Sequence, residues 1–372
     1  MSDDNQIVQL WRDVLGFAIQ DLATDIHIEP GEEATLIRFR VDGVLHAHRW
    51  LESCWHDHLI AHIKILARLD IAEKRLPQDG RLSFQDESGQ LIHCRVSTLP
   101  TLSGEKIVVR VLHKPHGHLG IASLGFDAWQ LEKLSEAVSS PQGLILVTGP
   151  TGSGKTITLY SCLAKLNDGS RNISTVEDPA EIYLSGTNQV SINEKSGLGF
   201  ANTLRALLRQ DPDVIMIGEI RDAETAKIAL QAAQTGHLVL ATLHTNDAIG
   251  ALSRLVHLGC DLDLIAGTVH CITAQRLVRK FCSSCQGSGR NGSQKICALC
   301  RGSCYSGRVA VHEVMPFNQV IRQQIRQGSD LSTIASLAQK SGMKSLFENA
   351  QNIVARGISS SQEIEASLGM SR

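Results

Sequence analysis

Between Thr35 and Arg49 the text TLIRFRVDGVLHAHR alternates apolar and polar residues on either side of Asp42-Gly43. A period of two belongs to a half-covered strand, and Asp-Gly is a two-residue hairpin signal, so a β-hairpin is expected here. The period then lengthens. In HDHLIAHIKILARLDIAEK, residues Leu59, Ile63, Leu66 and Leu69 recur at helical spacing, before RLSFQDESGQLIHCRVSTLP and EKIVVRVL return to strands. Residues 1–113 are therefore expected as an α+β domain. HKPHGHLG, rich in His, Pro and Gly and without periodicity, makes 114–120 the expected linker.

Beyond the linker, short wholly apolar runs alternate with helical segments. GLILVTG, RNISTVED, DVIMIGE and HLVLATLH interleave with KTITLYSCLAKL and AETAKIALQAAQ, the pattern expected for a parallel sheet. An α/β core is expected over 121–275. A cysteine-rich segment follows over 276–312, and 313–372 reads as helical, with Ser360 and Glu363 spaced as a capping box.

Length and composition narrow the class. At 372 residues the chain exceeds one ordinary core. Its 36 Lys and Arg nearly cancel 38 Asp and Glu, so no nucleic-acid partner is demanded. No apolar run approaches the roughly 18–20 residues of a membrane span. The amino terminus, MSDDNQIVQLW, is acidic and polar, so a cytoplasmic chain with reduced cysteines is expected.

GPTGSGKT, comprising Gly149, Pro150, Thr151, Gly152, Ser153, Gly154, Lys155 and Thr156, satisfies the phosphate-loop pattern between an apolar run and a helical one. Its glycines let backbone N–H groups turn onto phosphate oxygens at a helix amino terminus. Lys155 is expected to reach the β- and γ-phosphates of ATP, and Thr156 to offer a hydroxyl to Mg²⁺. Two acidic groups end apolar runs: Glu219 in DVIMIGE, suited to holding Mg²⁺, and Glu177, Asp178 and Glu181 in STVEDPAE, one of which is suited to orienting the attacking water. His237 and His244 flank the apolar run of HLVLATLH at an odd spacing, which puts them on opposite faces of a strand. Arg205 and Arg209 stand one helical turn apart and suit charge neutralisation of phosphate across a subunit boundary. Cys282, Cys285, Cys297 and Cys300 form two Cys-x-x-Cys pairs that suit tetrahedral Zn²⁺ with no open position, a structural staple.

These motifs together resemble the secretion ATPase superfamily, the motors of type II secretion, type IV pilus assembly and retraction, and DNA-uptake pseudopili. The resemblance rests on DIHIEP, RFRVDG and RLPQDGR in the first domain, and then on the phosphate loop, EDPAE, GEIRD, the two-histidine box and GRVAVHEVM. It implies a RecA-like ATPase domain preceded by a smaller PAS-like α+β domain, with a zinc insertion and a helical carboxy-terminal part. It also implies a homo-hexamer acting on an inner-membrane platform protein, with membrane contact only through partners. Glu177 becomes the implied base, Glu219 a Mg²⁺ holder, and His237 and His244 neighbours of the nucleotide. Arg40 and Arg81 of the first domain become candidates to approach phosphate. The stretch before the linker leaves no room for the further amino-terminal domain of longer members, so the short form is expected. Two other readings are a retraction motor, which typically lacks the cysteine pairs, and a nucleic-acid-dependent ATPase with a zinc knuckle. The second needs more than Arg276, Arg279, Lys280, Arg290, Lys295 and Arg301 with few aromatics between them.

Overall fold

In the computed structural model, residues 3–85, 89, 91–112 and 119–369 are described. They divide into two compact units, Met1–His116 and Gly117–Arg372. Most of the expected linker, 114–118, lies outside the described residues.

The first unit comprises α1 (Asp3–Gln20), β1 (Asp25–Pro30), β2 (Ala34–Val41), β3 (Val44–Glu52), α2 (His56–Leu66), β4 (Gln78–Gln85), β5 (Leu91–Thr101) and β6 (Gly104–Leu112). Its six strands form one antiparallel sheet in the order β3-β2-β1-β6-β5-β4. The hairpin turn is the expected one: Asp42 and Gly43 both have positive φ, 49° and 86°, as a type I′ turn requires. Ile26, Ile28, Ile37, Phe39, Val96, Ile107 and Val109 share a core with Trp11, Val14 and Leu15 of α1 and with Leu59 and Ile63 of α2.

Two expectations need correction here. Helix α1 was not anticipated, although Ile7, Trp11, Val14, Leu15 and Ala18 recur at helical spacing and are buried. Helix α2 stops at Leu66 instead of running through Leu69, and Leu66 is exposed. Arg68 takes φ 58°, Arg68 N–H bonds Ile65 O and Leu69 N–H bonds Lys64 O, so a Schellman motif formed without glycine ends the helix.

The second unit comprises α3 (Ala128–Val138), β7 (Gly143–Thr148), α4 (Lys155–Leu166), β8 (Ile173–Glu177), β9 (Asn188–Ser191), α5 (Phe200–Leu207), β10 (Val214–Ile217), α6 (Ala223–Gln234), β11 (Leu238–Leu243), α7 (Ala248–His257), α8 (Leu262–Thr268), β12 (Val269–Phe281), β13 (Tyr305–Pro316), α9 (Gln319–Arg326), α10 (Leu331–Lys340), α11 (Leu346–Ala355) and α12 (Ser361–Leu368). The sheet order is β13-β12-β7-β11-β10-β8-β9, parallel except for β13. Its two faces carry separate apolar cores, which explains why strands β7, β8, β10 and β11 are buried at every position.

The limits expected for the cysteine segment, 276 and 312, cut through β12 and β13. Both strands belong to the large sheet, so the excursion is only the stretch between Phe281 and Tyr305. The capping box at Ser360 is half formed. Ser360 accepts the Glu363 N–H, but the Glu363 carboxylate takes the Arg279 guanidinium instead of returning to the cap. Glu313, in the GRVAVHEVM stretch, accepts the N–H of Ala248 (2.8 Å) and of Leu346 (3.0 Å), so one buried carboxylate joins the amino termini of α7 and α11. No described helix is long and apolar enough to cross a membrane.

Candidate active site

β7 ends at Thr148 and α4 begins at Lys155, so residues 149–154 turn a buried strand into a helix amino terminus. Gly149, Gly152 and Gly154 supply the turn with φ of 147°, 78° and 89°. A Cβ on Gly149 would lie 2.5 Å from Gln275 O and 2.6 Å from Ser153 Oγ, so only glycine fits. Gln275 of β12 braces the loop. Its Nε2 donates to Ser153 O (2.6 Å), and its Oε1 accepts from Thr158 Oγ1 on α4 (2.8 Å). The Lys155 ammonium is buried and donates to Gly149 O (2.8 Å) and Pro150 O (2.9 Å). Burial pushes its pKa down to about 8, with Glu219 opposing and Arg276 reinforcing. Thr156 is half-buried on the first turn of α4.

The carboxyl ends of β10 and β11 lie on the same side of the sheet as this loop, because Leu243 pairs with Thr148 and Ile217 with Ala241. Glu219 is ion-paired with Arg221, whose Nη2 also lies 3.2 Å from Asp178 Oδ2. His244 Nε2 is 3.5 Å from the other Glu219 oxygen. The His244 pKa is lowered by burial first and then by the Lys155 charge, with Glu219 acting against both. Thr148 Oγ1 and Thr245 Oγ1 are 2.7 Å apart, which fixes the chain just past His244 to the strand that carries the loop. Pro150, His244, Thr245 and Asn246 line a cleft of about 210 Å³. His244 lines this cleft, Glu219 lies 3.5 Å from His244, and Lys155 bonds the carbonyl of Pro150 that lines it, an arrangement suited to a polyphosphate and its cation.

Glu177 ends β8 and is only 4% exposed. Its Oε1 accepts from Thr175 Oγ1 (2.6 Å) and Tyr160 Oη (2.9 Å), and its Oε2 accepts from Tyr160 Oη (2.8 Å). Burial raises its pKa, and these donors oppose the rise. A Cβ on Gly218 would lie 3.2 Å from Glu177 Cα, so β8 and β10 approach closely where the two acidic clusters begin.

The four sulfurs of Cys282, Cys285, Cys297 and Cys300 lie within 4.8 Å of one another, and all four residues are buried. Sγ–Sγ separations are 3.8 Å for Cys282–Cys297 and 3.6 Å for Cys285–Cys300. A tetrahedron with metal–sulfur bonds of about 2.3 Å has edges of about 3.8 Å. Peptide N–H groups of Cys300 and Leu299 point at Cys297 Sγ and bring its thiol down to about 6, against burial. A Cβ on Gly287, at φ 82°, would meet the Phe281 ring at 2.6 Å. The donor set fits a four-coordinate thiolate metal. Cys304 stands outside it, with its sulfur 3.8 Å from Gly302 O.

A family model described as "Type II/IV secretion system protein" matches residues 1–366. The chain belongs to the type II/IV secretion system protein family. It is 46% identical over 363 residues to the type II secretion system protein HxcR of Pseudomonas aeruginosa, covering 97% of this chain and 77% of that one. It is 42% identical over 384 residues to the type IV pilus assembly ATPase PilB of Myxococcus xanthus, covering 98% of this chain and 68% of the other. Its fold resembles a crystal structure of the pilus retraction motor PilT with bound ADP, at TM-score 0.68 and 28% identity over 96% of each chain.

In this secretion-family chain the remaining expected residues are dispersed. His237 precedes β11 and His244 follows it, so roughly 23 Å of extended chain separates them. His237 bonds Ala232 O (3.0 Å) at the amino ends of the strands, opposite the phosphate loop. Of the two histidines, His244 adjoins the loop within this unit and His237 does not. Arg205 pairs with Glu224, and Arg209 donates to Arg205 O (2.8 Å). Both are exposed where the chain leads into the amino end of β10, away from the loop. In the first unit Arg40, Asp25, Arg110, Arg95 and Arg81 occupy one transverse row of the sheet. Arg40 donates to Gly43 O (2.9 Å) and lies 3.8 Å from Asp25, while Arg81 is exposed. Sequence reasoning missed Gln275, Tyr160 and Arg221. Each acts through a contact made far away in sequence, except that Arg221 stands two residues from Glu219 in GEIRD and was there to be weighed.

Proposed function

We propose that this chain is the ATP-hydrolysing motor of a type II secretion, type IV pilus assembly or pseudopilus system. It works from the cytoplasmic side as a ring of six, on a polytopic inner-membrane platform protein. The observation that carries the reading is the match over 97% and 98% of this chain to a type II secretion protein and a pilus assembly ATPase, at 46% and 42% identity; the likeness to the retraction motor is one of fold, at 28% identity. The gathered Lys155, Glu219 and His244 supply the chemistry. Residues 149–156 cradle the ATP phosphates, Lys155 neutralises the β- and γ-phosphates, and Thr156 and Glu219 hold Mg²⁺. Glu177 takes a proton from the water that attacks the γ-phosphorus, the bond to the β,γ-bridging oxygen breaks, and ADP and phosphate leave. His244 senses the γ-phosphate. Arg40, Arg81, Arg205, Arg209 and His237 have their roles in the assembled ring. We read the first unit as PAS-like and the second as RecA-like. The four thiolates hold Zn²⁺, which staples the excursion between β12 and β13 and offers no open position for chemistry.

Glu177→Gln tests the chemical assignment. Hydrolysis should fall by about 10²–10⁴-fold, the range for losing a general base, while ATP binding measured by fluorescence persists. Hydrolysis at the wild-type rate would remove Glu177 from the mechanism.

A further inference from the structure

Tyr160 lies on α4, five residues past Lys155, and is fully buried. Its hydroxyl is placed against both oxygens of the Glu177 carboxylate, at 2.9 and 2.8 Å. The direction of the proton is fixed by what stands behind it. Gln189 Nε2 donates to the Tyr160 oxygen (2.8 Å), so the phenolic hydrogen has the carboxylate as its acceptor. Gln189 cannot turn over without loss: its Oε1 accepts Leu184 N–H (2.9 Å), and its Nε2 also donates to Ile182 O (2.8 Å). Thr175 Oγ1 gives Glu177 a second hydroxyl donor at 2.6 Å.

The kind of donor matters more than the number. A carboxylate this buried is costly to keep charged, and the usual remedy is an arginine or lysine, which would stabilise the anion but weaken it as a base. Here the contacting donors are neutral. Such donors favour the ionised form without a neighbouring charge that would weaken it as a base, and the tyrosine does so from the helix that the phosphate loop caps.

Resting on the reading of Glu177 as the base, we propose that Tyr160 is a positioning residue that holds the Glu177 carboxylate in its basic form and orients it from helix α4. A tyrosine present only to fill the core needs one acceptor for its hydroxyl, and a backbone carbonyl would serve. The bifurcated approach to a buried acid, backed by an oriented amide, makes the hydroxyl part of the acid's own environment.

Tyr160→Phe removes the hydroxyl and keeps the ring. Loss of a donor to the charged form makes the carboxylate harder to ionise, so the acid limb of the kcat–pH profile should move upward by about one unit. Turnover should fall about tenfold at the acid side and less at the alkaline side, with KM for ATP within about twofold. In Glu177→Gln the same tyrosine substitution should cost nothing further, because there is no carboxylate left to position. An unshifted acid limb, or an equal loss in the Glu177→Gln background, would overturn the proposal and leave Tyr160 a packing residue. If Glu177→Gln itself turns over at the wild-type rate, the base assignment fails first, whatever Tyr160→Phe shows. Should Tyr160→Phe not fold, Thr175→Val, which deletes the other hydroxyl donor, must shift the limb in the same direction, and a wild-type profile there counts against the proposal equally.

Discussion

Replacing Lys155 by alanine is expected to lower ATP hydrolysis at least about a hundredfold, the scale for losing one positioned donor to developing charge, while leaving the fold intact. The fold survives because the ammonium stabilises little in the free protein. It is desolvated and satisfied by two loop carbonyls, and the loop geometry is set by its glycines and by Gln275. Phosphate release and a thermal melt on the same sample check both halves, and turnover near the wild-type rate would remove the loop from the chemistry. The same lysine sets a pH dependence whose sign follows from its environment. Its pKa stands at about 8 in the free protein, below the usual lysine range. A phosphate anion prefers the charged form and raises that pKa. Nucleotide affinity should therefore be highest below about pH 8 and fall as pH rises through it, by up to about tenfold per unit.

The double substitution Cys297→Ser with Cys300→Ser is expected to remove bound zinc, from about one per chain to almost none, and to unfold the excursion between β12 and β13. The reason is the thinness of that segment's own core. Its buried apolar cluster is the four cysteines themselves, and Ile296 and Leu299 point into solvent. Limited proteolysis should then cut within 282–304. The sheet is held from elsewhere: Arg279 is paired with Glu363, Ser359 donates to Arg279 O, and Phe281 N–H bonds Ile358 O, so β12 should keep its place. A variant that still binds stoichiometric zinc, or resists the protease as well as the wild type, would contradict the staple.

Much of the second unit was legible because periodicity and chemistry point the same way there. Helices α4 and α6 fall on KTITLYSCLAKL and AETAKIALQAAQ, and the four apolar runs became the four central strands. The phosphate loop was readable from eight contiguous residues, and the thiolate cluster from paired spacing. What could not be read was anything decided by register between distant segments. Gln275 braces a loop more than a hundred residues earlier, and Tyr160 meets Glu177 across the gap between a helix and a strand. The histidine pair shows the limit in another way. A strand argument put the two on opposite faces, whereas strand ends separate them, because β11 stops one residue short of each. Helix α2 failed at its end, since helical spacing in Leu66 and Leu69 carries no signal that Arg68 will adopt a left-handed backbone. GRVAVHEVM supported the family resemblance without disclosing its task, which for Glu313 is to join two helix amino termini.

The central claim is that ATP turnover by this chain is harnessed to a membrane platform and not to nucleic acid. Its most direct test is the rate of phosphate release by the purified chain with Mg²⁺, compared alone, with single- or double-stranded DNA, and with the cytoplasmic part of a pilus or secretion platform protein. The account predicts a rate unchanged by DNA and raised severalfold by the platform fragment. A rate raised by DNA and indifferent to the platform fragment would contradict it.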